Sequence, residues 1–162
     1  MNPSNPTSAT RPSAVENWER DPEHRFTGIP LSVEYIDGIT WELVADVAYY
    51  TKAGDISTVR AGFIFDWAST PPCLWGVCPP AGLKGQPYGI AAMFHDWVYH
   101  HKQIAGKDVA RSQADDLFLE IMLYIGVASW RAHAMWAAVR TFGWWAWSHD
   151  KVPPAAMTLQ LA

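Results

Sequence analysis

A carboxylate set among the apolar positions of a helix is the strongest constraint on how this chain folds. Ala110, Ala114, Leu117, Phe118, Ile121 and Ile125 recur at helical spacing, and Asp115 falls on the inner half of that face, beside Ala114 and Phe118. An isolated buried carboxylate is very unfavourable, so Asp115 must meet a cation or hydrogen-bond donors once the chain is folded. Twenty residues upstream of Asp115, the run Phe94-His95-Asp96-Trp97-Val98-Tyr99-His100-His101 carries suitable groups on a second helical segment. His95 and Tyr99 are one helical turn apart and share a face, while Asp96 and His100 share the neighbouring face. His95 is the natural partner of Asp115. A carboxylate accepting from one ring nitrogen fixes the tautomer and leaves the other nitrogen free as a base.

The 162 residues are 49% hydrophobic and 17% charged, which fits a compact fold with its own core. A net charge of −4 without a basic stripe gives no electrostatic case for nucleic-acid binding. No stretch approaches the roughly 20 apolar residues of a membrane span. The Asn/Pro/Ser/Thr-rich start lacks the apolar segment of a secretory signal, which predicts synthesis in a cytoplasm. Cys73 and Cys78 are then expected as free thiols. Ten Trp suit a core of few large side chains, a partner surface or a membrane interface.

The predicted fold class is α+β, a small N-terminal antiparallel β-sheet followed by three helices. Residues 1–25, with four of the twelve prolines, are predicted as an extended polar arm that a neighbouring subunit would order. Residues 26–150 form the domain and 151–162 a tail. Strand-like alternation runs over 31–50, with a hairpin signal at Asp37-Gly38, and 58–65 reads as a further strand. Residues 66–87 read as a long loop. Helices are predicted over 88–102, 108–125 (Asp108 as N-cap, Gly126 as stop) and 129–147. The third helix, with Trp130, Met135, Trp136, Val139, Phe142, Trp144, Trp145 and Trp147, reads as core. Its aromatic end is also a candidate partner surface.

Two readings of the His/Asp group stand side by side. In the first, His95 is a general base oriented by Asp115, and Asp96 points at another group, a hard cation being one candidate, since calcium suits carboxylates and the carbonyls of a loop such as 66–87. Zinc on Cys73, Cys78 and His95 is a weaker fit, because no paired Cys-x-x-Cys motif supports it. In the second, the same side chains are a buried polar lock between two helices. Asp66, Ser69 and Thr70 also serve as ordinary turn formers before Pro71-Pro72. Asp116 reads as a solvated face residue, and His101 with Lys102 as a helix C-terminus favoured by the dipole.

Residues 59–147 resemble a domain of unknown function common in tailed phages and prophages. The matching pieces include residues 59–71, the run Ala91-Ala92-Met93-Phe94-His95-Asp96-Trp97-Val98-Tyr99, then Arg111-Ser112-Gln113-Ala114-Asp115, and Ala138-Val139-Arg140-Thr141-Phe142-Gly143. That resemblance implies a phage or prophage origin and no established activity. His-Asp-x-x-Tyr followed by Arg-x-x-Ala-Asp-x-x-Phe is more distantly similar to the core of prokaryotic secreted phospholipases A2. It implies a phospholipase A2-like helical half with His95 as general base, Asp96 as calcium ligand, Asp115 orienting His95, and Tyr99 as a supporting phenol. Asp66-Trp67-Ala68-Ser69 resembles the family's calcium-side loop. The family's flanking disulfides and Gly-rich calcium loop have no counterpart here, where the loop carries Pro-Pro.

The leading expectation is therefore a phage-encoded, metal-assisted hydrolase acting on lipid or envelope ester or amide bonds during entry or lysis. The rival is a non-catalytic tail or baseplate subunit made in the host cytoplasm and carried in the virion. Such a subunit would contact other structural proteins, or itself, through the N-terminal arm and the Trp-rich third helix.

Overall fold

The computed structural model describes residues 25–29, 31–37, 40–65 and 88–148. Six short strands come first: β1 Phe26–Thr27, β2 Val33–Asp37, β3 Thr40–Leu43, β4 Val47–Tyr50, β5 Ile56–Val59 and β6 Ile64–Phe65. Helix α1, Gly89–His101, follows, then a small hairpin of β7 Gln103–Ile104 and β8 Lys107–Asp108. Helices α2 Arg111–Tyr124, α3 Ser129–Phe142 and α4 Trp144–Ser148 complete an α+β architecture.

The expected small sheet is two three-stranded antiparallel sheets, ordered β1-β4-β5 and β2-β3-β6. The strand expected over 58–65 is split between them. Residues 61–62 form a turn, with Gly62 at φ +84, so β5 pairs in one sheet and β6 in the other. In β4 the alternation is clean, Val47 and Tyr49 buried and Ala48 and Tyr50 half-buried, which is the period-2 signature of a strand with one face on the core. The tip of the β2–β3 hairpin, 38–39, lies outside the described residues, as do the arm 1–24, the loop 66–87 and the tail 149–162.

Tyr49 on β4, Phe94 on α1 and Phe26 on β1 pack ring against ring and tie the sheet to the helices. The core continues through Met93 and Val98 of α1 and Leu117, Phe118, Ile121 and Met122 of α2, all buried. Glu120 supplies the polar counterpart. Its Oε1 accepts from the Tyr49 hydroxyl at 3.0 Å, the Lys52 backbone N–H at 2.7 Å and Arg25 Nη1 at 3.3 Å, so α2 is pinned to the sheet.

The helix ends differ from expectation in instructive ways. Asp108 is in β8, not at an N-cap, because the chain makes the β7–β8 hairpin first. The α2 N-cap is Ala110, which has no side-chain acceptor, and Gln113 Oε1 reaches back to its N–H at 2.8 Å. Gly126 does stop α2. At φ +84 it takes the left-handed conformation, and Val127 N–H closes onto Met122 O at 3.0 Å, a Schellman ending. The third helix breaks at Gly143. It buries Ala132, Met135, Ala138 and Val139, whereas Trp130, Phe142, Trp144 and Trp145 are exposed, so its aromatic residues are mostly not core.

Candidate functional site

The site is where α1, α2 and the end of α3 meet around Asp115. Helix α1 presents His95 and Tyr99 from successive turns, and α2 presents Arg111 and Asp115 from successive turns. Asp115 is fully buried, and His95 is 4% exposed. His95 Nε2 lies 3.2 Å from Asp115 Oδ1, and the Tyr99 hydroxyl donates to the same oxygen at 2.6 Å. The other oxygen, Oδ2, faces two guanidinium groups, Arg111 Nη1 at 3.4 Å and Arg140 Nε at 3.4 Å. Each carboxylate oxygen thus meets a pair of groups, one pair from α1 and one from α2 and α3.

Burial works to raise the Asp115 carboxyl. The hydrogen bonds from His95 and Tyr99, with the charges of His95 and Arg111, outweigh it and hold the group below its ordinary value. Asp115 is therefore an ionised acceptor at neutral pH. An ionised carboxylate cannot donate, so His95 Nε2 carries a ring proton and donates it, and in the neutral form of the ring the lone pair falls on Nδ1. Among the described residues Nδ1 is buried and has no hydrogen-bond partner, and Asp96 Oδ1 lies 4.0 Å from it. Tyr99 stays a donor throughout the physiological range, because burial, reinforced by the bond to Asp115, pushes its phenol far above the ordinary value of 10.0. The His95 ring sits between the rings of Tyr99, 4.1 Å away, and Phe118, 4.9 Å away.

His95, Tyr99 and Asp115, picked out from spacing alone, do meet. Asp96 follows His95 on α1 and is half-buried. Asp66, its expected companion, lies outside the described residues, as do Ser69, Thr70, Cys73 and Cys78. Among the described residues no three His, Cys, Asp or Glu side chains are placed to hold a metal ion. Asp116 is exposed but engaged, accepting from Arg140 Nη2 at 2.5 Å and Trp136 Nε1 at 3.1 Å. His101 ends α1 and stacks on Trp97, ring centroids 3.7 Å apart. Both line a groove of about 520 Å³, with Asp55, Ser57, Arg60 and Gln103, on a different face of α1 from His95.

Sequence reasoning gave no role to Arg111, Arg140 or Gly143. Arg111 carried a signal, since Arg and Asp at i and i+4 are neighbours on a helix. Arg140 carried none, because only the α2–α3 packing brings it to Asp115.

The family described as a protein of unknown function (DUF1353) matches residues 41–139 of this chain. The chain belongs to that family. The match runs from β3 to α3 and takes in His95, Tyr99, Arg111 and Asp115, while Arg140 and Gly143 lie just past its end. No curated protein and no solved structure gives a significant match. No described helix is long and apolar enough to cross a membrane.

Proposed function

We propose that the chain is a phage- or prophage-encoded protein whose His95 acts as the general base of a hydrolase. The supporting observation is the division of labour in one ring: Nε2 is held by ionised Asp115, and Nδ1 keeps its lone pair without a hydrogen-bond partner among the described residues. In the proposed reaction Nδ1 takes a proton from water as the water oxygen attacks an ester or amide carbonyl. The same proton then passes to the leaving oxygen or nitrogen, and Asp115 stabilises the imidazolium between these steps. General-base catalysis of this kind contributes about 10²–10⁴-fold in rate. Asp96 and Asp66 are the proposed calcium ligands.

The test is hydrolysis of phospholipid vesicles and of peptidoglycan by the purified chain, with calcium and with chelator. Turnover lost in His95→Ala, with the circular dichroism of the wild type, supports the reading. Equal turnover in wild type and variant removes it.

A second reading has its own support. Asp115 is fully buried, with donors from α1, α2 and α3 converging on it, and large aromatic side chains of α3 and α4 face outward. On this reading the chain is a non-catalytic virion subunit, and the Asp115 cluster locks its helices. Stoichiometric presence in purified particles, with no turnover on either substrate, would favour it.

A further inference from the structure

We propose that Arg111 is a positioning residue that holds the His95 tautomer through Asp115, using the C-terminal end of α3 as its fixed point. The inference deepens the general-base reading and rests on it for any catalytic consequence, but its own content is a property of the resting protein.

The geometry centres on one nitrogen. Arg111 Nη1 faces Asp115 Oδ2 at 3.4 Å and donates toward two backbone carbonyls, Val139 O at 3.2 Å and Arg140 O at 3.0 Å. Both carbonyls belong to the last turn of α3, where Val139 O also accepts from Gly143 N–H at 2.7 Å. A guanidinium has several donors in a rigid plane, so it can satisfy a helix end and a carboxylate together, whereas an ammonium is a point charge on a flexible stem. Gly143 makes this closeness feasible. A Cβ at that position would meet Val139 O, the Tyr99 hydroxyl at 2.5 Å and Arg111 Nη1 at 3.4 Å. Any side chain there would push apart the groups that close around Asp115.

The consequence for His95 follows from the charge state of Asp115. An ionised Asp115 accepts only, and it therefore selects the Nε2–H tautomer. The carboxylate is buried, and it stays ionised only while cations and donors surround it. Arg140 Nε also faces Oδ2 at 3.4 Å, but without hydrogen-bonding geometry, and the short contact of Arg140 is with Asp116. Arg111 is the cation that α2 and the end of α3 together aim at Asp115. Without it Asp115 takes up a proton more readily, and a protonated Asp115 donates to Nε2. His95 then carries its proton on Nδ1, and the free lone pair is gone.

The experiment is ¹⁵N NMR of the His95 ring in the full chain at neutral pH, for wild type, Arg111→Gln, Arg111→Lys and Gly143→Ala. Wild type should show one tautomer, protonated on Nε2. Arg111→Gln should lose that single-tautomer signature and gain Nδ1–H signal, with Arg111→Lys restoring it in part. Gly143→Ala keeps every charge and should shift the balance in the same direction, an arm that does not depend on Arg111→Gln folding. A pure Nε2–H signature in folded Arg111→Gln and Gly143→Ala overturns the proposal, as does a mixed or Nδ1–H signature in wild type. A fall in melting temperature with the tautomer unchanged also overturns it. No substrate is present, so absence of hydrolysis in the wild type would defeat the general-base reading without touching this one.

Discussion

Tyr99 holds Asp115 more closely than His95 does: its hydroxyl lies 2.6 Å from the carboxylate oxygen that lies 3.2 Å from His95 Nε2. The phenol is thus a principal support of the buried charge. Tyr99→Phe removes only that donor, because the ring can keep its packing against His95 and Trp147. Hydrogen bonds to charged groups contribute about 1.5–3 kcal/mol, so the urea midpoint of Tyr99→Phe should fall by a corresponding amount. An unchanged midpoint would mean that the remaining donors suffice to hold Asp115.

Acid should unfold the protein partly through Asp115. Its carboxyl is held below the ordinary 3.8, so the folded state binds that proton less tightly than the unfolded state does. The resulting stability is fully present above the unfolded value and is lost as pH falls through the lower folded value. Asp115→Asn removes the charge at every pH, and breaking a buried ion pair costs about 3–5 kcal/mol. The gap between wild type and Asp115→Asn in urea unfolding should therefore be wide at pH 7 and narrow below about pH 4. A gap that stays constant down to pH 2 would contradict the assignment.

The residues that meet at Asp115 were legible because helical periodicity is a local property. His95 and Tyr99 share a face by spacing alone, and Asp115 had to find partners because its neighbours are apolar. Arg140 and Gly143 were not legible, since their contact with the site depends on how α3 crosses α2, which no local pattern records. The split of 58–65 into two strands was missed for a related reason. Residues 61–62 look like strand interior until β3 and β4 claim different ends of the segment. The Trp-rich helix misled in the opposite direction. Aromatic residues at helical spacing read as core, but small residues and Met fill the buried face of α3, and α4 buries none of its residues.

Glu120 anchors the sheet independently of the His95 site. In Glu120→Ala the buried Tyr49 hydroxyl and the Lys52 N–H lose their shared acceptor. An unsatisfied buried donor costs about 1–3 kcal/mol, and stability should fall within or above that range. The His95 ring resonances should stay where they are in wild type, since Glu120 contacts neither His95 nor Asp115 through any observed bond. A shifted His95 signal would show that the sheet anchor and the site are one cooperative network.

The outward-facing Trp144 should be dispensable for folding, and Trp147, beside the site, should not. Trp144 and Trp145 are 61% and 54% exposed. Trp147, in the same short helix, packs edge-on against Tyr99 at 5.0 Å and lies under Lys102 Nζ, 3.9 Å from its ring centre. Lys102 also donates to the Trp147 carbonyl at 2.8 Å, which fixes α4 against the end of α1. Exposed substitutions away from such contacts usually change stability by about 0.5 kcal/mol or less, so Trp144→Ser should melt close to wild type. Trp147→Ser gives up an aromatic pair and a cation–π contact, together worth about 1–2 kcal/mol, and should melt visibly lower. Thermal unfolding of the two variants decides the matter. If Trp144→Ser loses as much as Trp147→Ser, Trp144 is part of the packed folded state and not a surface available to a partner.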